Sequence, residues 1–316
     1  MVPVKWRNRM IKKLNIQGFK CFENEDFNVT PLTLLSGLNS SGKSTFLQAI
    51  RLIYGYENPL SGLGPLSELV STLSQSCKIK MTSNGGEYVF DHPESKNYDY
   101  PYVEPILVSY ISAARLGPEL HLPIRGNEAR GGDVGEKGEY VLDFLEYHSE
   151  LAGLPEILRR PEAKSSAVRH NVSAWLSMIS PGISFKWEPI PKADLMRAEY
   201  SGHRPNNVGF GVSYTLPIIA NVLGYAAMVA KGDQRSALIL LENPEAHLHP
   251  AGQTQLGEFL ARAASCGVQI IIETHSDHLL NGIRWAVKNQ TLKPQDTTFY
   301  YFQYDFDEER TRRMSR

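Results

Sequence analysis

Apolar positions along this chain fall into two rhythms. One is the nearly unbroken run, at 32–35, 237–241 and 268–272, where apolar side chains are interrupted only by Thr33 and Gln269 and both faces of an extended segment must be covered. Runs of this kind predict the interior strands of a parallel sheet. The other is the helical spacing of Phe46, Leu47, Ile50 and Ile53, directly after the first run. In the last third the rhythms alternate: helices are predicted over 213–230, 252–264 and 278–287, and strands over 237–241, 268–272 and 297–303. Alternating elements with apolar strands predict an α/β fold, a parallel sheet with helices on both faces.

The rest of the chain is less regular. Two or three short strands are expected before residue 36, strand-like patterns stand at "CKIKM" and "EYVF", and "EPILVSYISAARLGP" predicts another strand. Helices are expected over 140–148 and 167–179, in a region cut by Pro155, Pro161 and Pro181. No heptad pattern is sustained, which excludes a long coiled coil, and no internal repeat stands out. The glycine- and charge-rich "RGNEARGGDVGEKGEY" reads as a mobile surface loop, and the charged tail "DFDEERTRRMSR" as a frayed end. "YTLPIIANVLGYAAMVA" is short of the about 20 strongly apolar residues of a membrane span. It contains Pro217, Asn221 and Gly224, and is expected to be a buried helix with no membrane role.

Composition narrows the function classes. With 42% apolar and 21% charged residues in 316, the chain is of ordinary globular type and long enough for about two domains' worth of core. A net charge of -1 excludes a global basic field that would recruit nucleic acid, so such a contact needs a local patch. Arg310, Arg312, Arg313 and Arg316 are the candidate patch, although a terminal charge run is more commonly solvated tail. Cys21, Cys77 and Cys266 are widely spaced without a C-x-x-C pair, as in a reducing, cytoplasmic setting. The basic N-terminus has no apolar stretch after it, so no signal peptide is expected.

Four segments carry candidate chemistry. "GLNSSGKS" matches G-x-x-x-x-G-K-[ST] between a predicted strand and a predicted helix. Gly37 and Gly42 free the backbone so that the amides of Asn39, Ser40, Ser41, Lys43, Ser44 and Thr45 can face phosphates. Lys43 would bridge the β- and γ-phosphates of ATP, and Ser44 would ligate Mg2+. "LILLENPE" delivers Glu242 at the end of a buried strand, where a carboxylate can serve the same cation. "IIIETHS" ends a second strand in Glu273, Thr274 and His275, an imidazole able to reach a γ-phosphate or the attacking water. "NNVGFGVS" places Gly209, Gly211 and Ser213 before a long helix; Ser213 is the expected N-cap, and the loop amides could meet an anion.

In this order the four segments resemble the ABC-type ATPase heads of the RecF, SMC and OLD class. The wording of "NVGFGVS", "ENPEAHLHP" and "ETHSDHLLNGIR" is similar to compact ATPases of bacterial defence operons and to the ATPase half of OLD nucleases. The resemblance covers about 13–288, and between 56 and 205 only "YISAARLGP" takes part. It implies a P-loop head with a mostly parallel sheet, an N-terminal antiparallel β portion and a helical lateral lobe. The core would be discontinuous, 1–55 plus 206–316, with 56–205 a mixed insert that carries a core strand near 104–113. It implies ATP and Mg2+ as cofactors and a homodimer with nucleotide at the interface. A separate nuclease or effector subunit, and DNA, are further implied partners. Glu242 becomes the Walker B acid, Gly209, Gly211 and Ser213 the signature loop, and His275 the switch histidine. Arg115 stands where relatives hold a glutamine, and Tyr214 where a glutamine often follows the signature serine. A toprim nuclease would lie beyond 316, so none is expected in this chain.

The residue after the Walker B acid is Asn243, an amide that cannot act as general base. Glu245, two positions on, is then the first candidate for base or water-orienting group, with His275 or a partner residue behind it. Catalysis is thereby assigned to Glu245, His275 and Lys43, and metal binding to Ser44 and Glu242. Two rival classes remain open: a slow ATP-gated DNA-binding clamp in recombination or repair, and a metallohydrolase built on His247, His249 and His275 with His278.

Overall fold

The computed structural model describes residues 10–54, 60, 62–83, 85–92, 106–126, 131–151, 153–232, 236–305 and 310–315. The first half of the chain forms β1 (Ile11–Phe19), β2 (Phe22–Asn28), β3 (Leu32–Gly37), α1 (Lys43–Tyr54), β4 (Cys77–Ser83), β5 (Gly86–His92), β6 (Ile106–Ile111) and β7 (His121–Pro123). After these come α2 (Val141–His148), α3 (Val168–Ile179), β8 (Phe185–Ile190), β9 (Leu195–Tyr200) and α4 (Phe210–Ala230). The last elements are β10 (Ser236–Glu242), α5 (Pro250–Ser265), β11 (Val268–Glu273), α6 (Asp277–Lys288), β12 (Thr297–Asp305) and β13 (Arg310–Ser315).

The apolar runs meet in one six-stranded sheet of order β13-β12-β3-β11-β10-β6, parallel except for β13. Period-two geometry sends alternate residues to opposite faces. Leu34, Ile239, Leu241, Ile270 and Ile272 pack among residues of α3, α4, α5 and α6. Leu35, Leu238, Leu240 and Ile271 pack with α1 and an antiparallel sheet of order β2-β1-β4-β5. Both faces are covered, which is why these strands have no polar rhythm. The whole is the predicted mixed α/β architecture: parallel sheet, N-terminal antiparallel portion and flanking helices.

Parallel register brings the carboxyl ends of the central strands into line. Glu242 pairs with Glu273, Glu273 with Leu35, and Gly37 with Phe302. That edge is where an open α/β sheet offers a ligand site.

Helix α4 is long and apolar enough to cross a membrane, yet 83% of its most apolar window is buried in this fold. Its Asn221 amide donates to Ser109 at 2.5 Å, so the polar interruption sits against β6. Residues 131–138 correct the expectation of a mobile loop. Val134 is buried, the Ser112 and Leu116 amides donate to Glu136 and Lys137 carbonyls, and a Cβ on Gly138 would stand 2.4 Å from Pro217. Glycines there permit positive φ and close packing rather than motion. Residues 127–130 lie outside the described residues. The tail is corrected too: 310–315 pair antiparallel along β12 instead of fraying.

A three-stranded antiparallel sheet, β7-β9-β8, went unpredicted. Lys186, Glu188, Arg197 and Glu199 face outward and Pro189 interrupts β8, which hides the alternation of Met196, Ala198 and Tyr200 on the buried side.

Helices α5 and α6 touch backbone to backbone. A Cβ on Gly257 would lie 2.2 Å from the Leu279 carbonyl oxygen, and one on Gly282 2.0 Å from that of Thr254. Gly282→Ala must push α6 away and is expected to cost about 1–3 kcal/mol through overpacking. Thermal denaturation should show a midpoint lower by several degrees; an unchanged midpoint would mean that the helix pair has slack.

Candidate active site

The loop between β3 and α1 is built by its two glycines. Gly37 has φ +136° and a Cβ there would stand 2.1 Å from the Phe302 carbonyl oxygen; Gly42 has φ +99°, with Cys21 Sγ at 2.8 Å. Ser40 also adopts positive φ, at 58°. Helix α1 starts at Lys43 and its first bond runs from the Phe46 amide to the Gly42 carbonyl, so the earlier amides are not spent within the helix. Leu38, Asn39 and Ser40 are exposed; Ser41, Lys43 and Thr45 are buried and Ser44 is half-buried. Lys43 turns its ammonium onto the loop's own carbonyls, Gly37 at 3.1 Å and Leu38 at 2.6 Å. Burial lowers its pKa, with Glu273 opposing the shift.

Three carboxylates gather at the carboxyl ends of β10 and β11, where Glu242 and Glu245 act electrostatically on Glu273. Glu242 accepts from the Ala113 amide at 3.2 Å and from the Tyr110 hydroxyl. Glu245 accepts from the His275 amide at 3.0 Å. Glu273, absent from the predicted site, accepts from the Ser44 hydroxyl at 3.0 Å. Burial pushes the Glu273 carboxyl up to about 7, with Glu242 and Glu245 adding to the shift and Ser44 and Lys43 opposing it. Its Oε2, Glu245 Oε2 and Asn243 Oδ1 are buried and have no hydrogen-bond partner among the described residues. A hydroxyl, neighbouring acids and orphaned oxygens form a donor set that fits a hard divalent cation completed by phosphate oxygens. His275 is exposed, and its pKa is lowered by partial burial and by Lys43, which favours the neutral ring at neutral pH.

Arg115 has the role that sequence reasoning missed most. Only 3% exposed, it donates to the carbonyls of Ser112 and Glu242, both at 2.8 Å, and of Asn243 at 2.6 Å. Its guanidinium lies 5.1 Å from the Tyr214 ring centroid. Burial draws its pKa down to about 10, against the pull of Glu245, Tyr214 and Glu242. It ties the end of β6 to the turn that carries Asn243, held at φ +42°.

With this geometry in place, comparison with known proteins is decisive. The model of the AAA ATPase domain family matches 10–93 and 184–280, more than half of the chain. The chain belongs to the AAA ATPase domain family. It is an ATP-hydrolysing enzyme of that family. A 46-residue stretch, 15% of the chain, is 44% identical to an OLD nuclease of Thermus scotoductus, of which it spans 9%. The fold is similar to the SMC head bound to the C-winged helix domain of ScpA, with TM-score 0.60, 14% identity and 97% of each chain covered. It is also similar to the Pyrococcus yayanosii SMC head with a coiled coil and joint, with TM-score 0.58, 12% identity and 96% of each chain covered. The Pyrococcus furiosus SMC head bound to the C-terminal domain of ScpA aligns with TM-score 0.57 at 14% identity, over 97% of this chain and 96% of that one.

Not every predicted residue of this ATPase joins the cluster. Helix α4 begins at Phe210 with Gly209 as its N-cap, so Ser213 is not the cap; it lies in the first helical turns and hydrogen-bonds Tyr200. A Cβ on Gly211 would stand 2.6 Å from the His247 carbonyl oxygen, which seats this segment on the 243–248 turn. Among the described residues no hydrogen bond joins 209–213 to the loop at 37–45. The metallohydrolase reading is corrected as well. His247 packs on Tyr214 with ring centroids 4.6 Å apart, and His249 caps α5 by accepting from the Ala251 amide. Among the described residues no three His, Cys, Asp or Glu side chains form a metal-holding group by themselves.

Arg115→Lys should destabilise this ATPase by about 1–3 kcal/mol, because a compact ammonium on a flexible stem does not reproduce the rigid planar fork whose two terminal nitrogens reach carbonyls of three residues. Urea denaturation measures it. A parent-like midpoint would show that the guanidinium does not hold the turn.

Proposed function

We propose that this chain is an ABC-type head that binds ATP with Mg2+ through Gly37, Gly42, Lys43 and Ser44 and pairs with a second copy around the nucleotide. Its hydrolysis drives or gates a nuclease or nucleic-acid partner in bacterial antiviral defence. The observation that carries this reading is the meeting of Lys43 and Ser44 with Glu242, Glu245 and Glu273 at the aligned strand ends. The likeness to an OLD nuclease supports the nuclease partner. The working core is 1–55 with 206–316, and 56–205 is the insert that contributes β6 and the lateral lobe.

Each side chain has a task that its surroundings support. Lys43 releases the Gly37 and Leu38 carbonyls and takes the β- and γ-phosphates. Loop amides from Asn39 to Thr45 hold phosphate oxygens at the start of α1, where the helix favours negative charge. Ser44 and Glu242 hold Mg2+, which neutralises charge that builds on the phosphates. Glu245 keeps one oxygen on the His275 amide and directs the other toward the attacking water, while neutral His275 meets the γ-phosphate. Gly211 packs on the 243–248 turn and no described hydrogen bond joins 209–213 to the loop at 37–45, which supports completion of the site by a partner copy rather than by the same chain.

Lys43→Ala is expected to abolish tight ATP binding in equilibrium titration, since it removes the only cation assigned to the β- and γ-phosphates. Undiminished affinity would end the phosphate-loop reading. Glu245→Gln should keep ATP binding and lose about 100-fold or more in turnover, the range of general-base catalysis. In sedimentation this variant should double its mass when ATP is added. Unchanged mass with and without ATP would refute pairing around nucleotide, and parent-rate hydrolysis would pass the base role to His275 or a partner residue.

A further inference from the structure

The carboxylate that touches the phosphate loop directly is not the one named from sequence. Glu242 spends Oε2 on the Ala113 amide and also meets the Tyr110 hydroxyl. Glu273, its register partner on the neighbouring parallel strand, holds Ser44 Oγ at 3.0 Å through Oε1. It is 7% exposed and its Oε2 is buried without a hydrogen-bond partner among the described residues. Burial of an ionisable group with half its acceptors unused is unfavourable. A glutamine at 273 could satisfy Ser44 with neither a charge nor an idle carboxylate oxygen, so the bond to Ser44 does not by itself account for a glutamate.

The surroundings intensify the mismatch. Glu242 and Glu245 lie close enough to act electrostatically on Glu273, while the nearby cation, Lys43, is turned onto the loop carbonyls. An acid in that position is explained by a divalent cation that arrives with nucleotide. Mg2+ sites with phosphates use one or two protein carboxylates, and residues 112–116 offer no glutamine as an alternative oxygen donor.

We propose that Glu273 is a cation-site residue of this ATPase, acting with Ser44 and Glu242, and that its idle oxygen is the one offered to the nucleotide-bound metal. Without nucleotide the same carboxylate restrains the Ser44 hydroxyl. With Mg2+ and ATP bound, Glu273 would offer its second oxygen to the cation site and so link that site to the β11 strand end. Through the Asn243 amide, which donates to the Glu273 carbonyl at 2.8 Å, that coupling reaches the turn that carries Glu245.

The inference rests on ATP binding at Gly37–Ser44, and the test separates the two. Binding of a fluorescent ATP analogue to the full chain is measured with Mg2+ and with EDTA, for the parent, Glu273→Gln and Glu273→Asp. The parent should bind more tightly with Mg2+. In Glu273→Gln that Mg2+-dependent gain should fall at least about tenfold, within the range for loss of a group that supports a metal, while affinity in EDTA does not fall below that of the parent. Glu273→Asp should recover part of the gain. Thermal denaturation of each variant checks that the sheet is intact, because the Gln amide can still accept from Ser44. A full Mg2+ gain in a folded Glu273→Gln protein would overturn the role of Glu273 alone. Failure of the parent to bind the analogue at all would instead overturn the phosphate-loop reading.

Discussion

Everything at the site hangs on a hydrogen-bond ladder that continues past the ends of its strands. Beyond β10 the Asn243 amide donates to the Glu273 carbonyl at 2.8 Å, and beyond β11 the Thr274 amide donates to the Leu35 carbonyl at 3.0 Å. These two bonds carry parallel register from the sheet into the loops. Once Glu242 is opposite Glu273 and Glu273 opposite Leu35, the phosphate loop, the acid turn and the histidine loop cannot slide relative to one another. A slip of one residue would turn every side chain of a strand to the other face and move both acids away from Ser44.

Burial makes that ladder rigid and raises the stakes of what stands at its end. The central strands are sealed by helices on one side and by α1 with the antiparallel sheet on the other, so the strand-end acids emerge from a dry floor. Such a floor weakens solvent screening and strengthens every charge interaction above it. The molecule tolerates Glu273 and the orphaned oxygens of Asn243 and Glu245 there, a local cost that a structural scaffold has no need to carry. Arg115 is the counterweight: a buried guanidinium spanning Ser112, Glu242 and Asn243 that fixes the turn without reaching the phosphate loop in any described bond.

Much of this was legible in the residue pattern, and the gaps have physical causes. Short apolar runs bounded by turn residues fit two-sided strands, and G-x-x-x-x-G-K-S between a strand and a helix fits the positive φ that Gly37 and Gly42 adopt. Polar faces hid the β7-β9-β8 sheet, whose outward lysines, arginines and glutamates resemble loop chemistry. Glycine density suggested motion at 131–138, whereas those glycines allow close contact, as Gly138 does with Pro217. The charged tail looked frayed because backbone pairing along an existing sheet edge needs no apolar side chains.

The sequence by itself determined the α/β class, the glycine loop between β3 and α1, the order of the strands' carboxyl-end motifs and the buried nature of α4, because each is written in local spacing. Which acid meets Ser44 was decided only by tertiary structure. Glu242 and Glu273 both end apolar strands, and nothing in their neighbours along the chain separates them. Strand order placed β11 between β3 and β10, and that adjacency put Glu273, not Glu242, on the Ser44 hydroxyl. Likewise Arg115 shows its partners only after β6 is laid beside β10, because its bonds reach 127 and 128 residues along the chain.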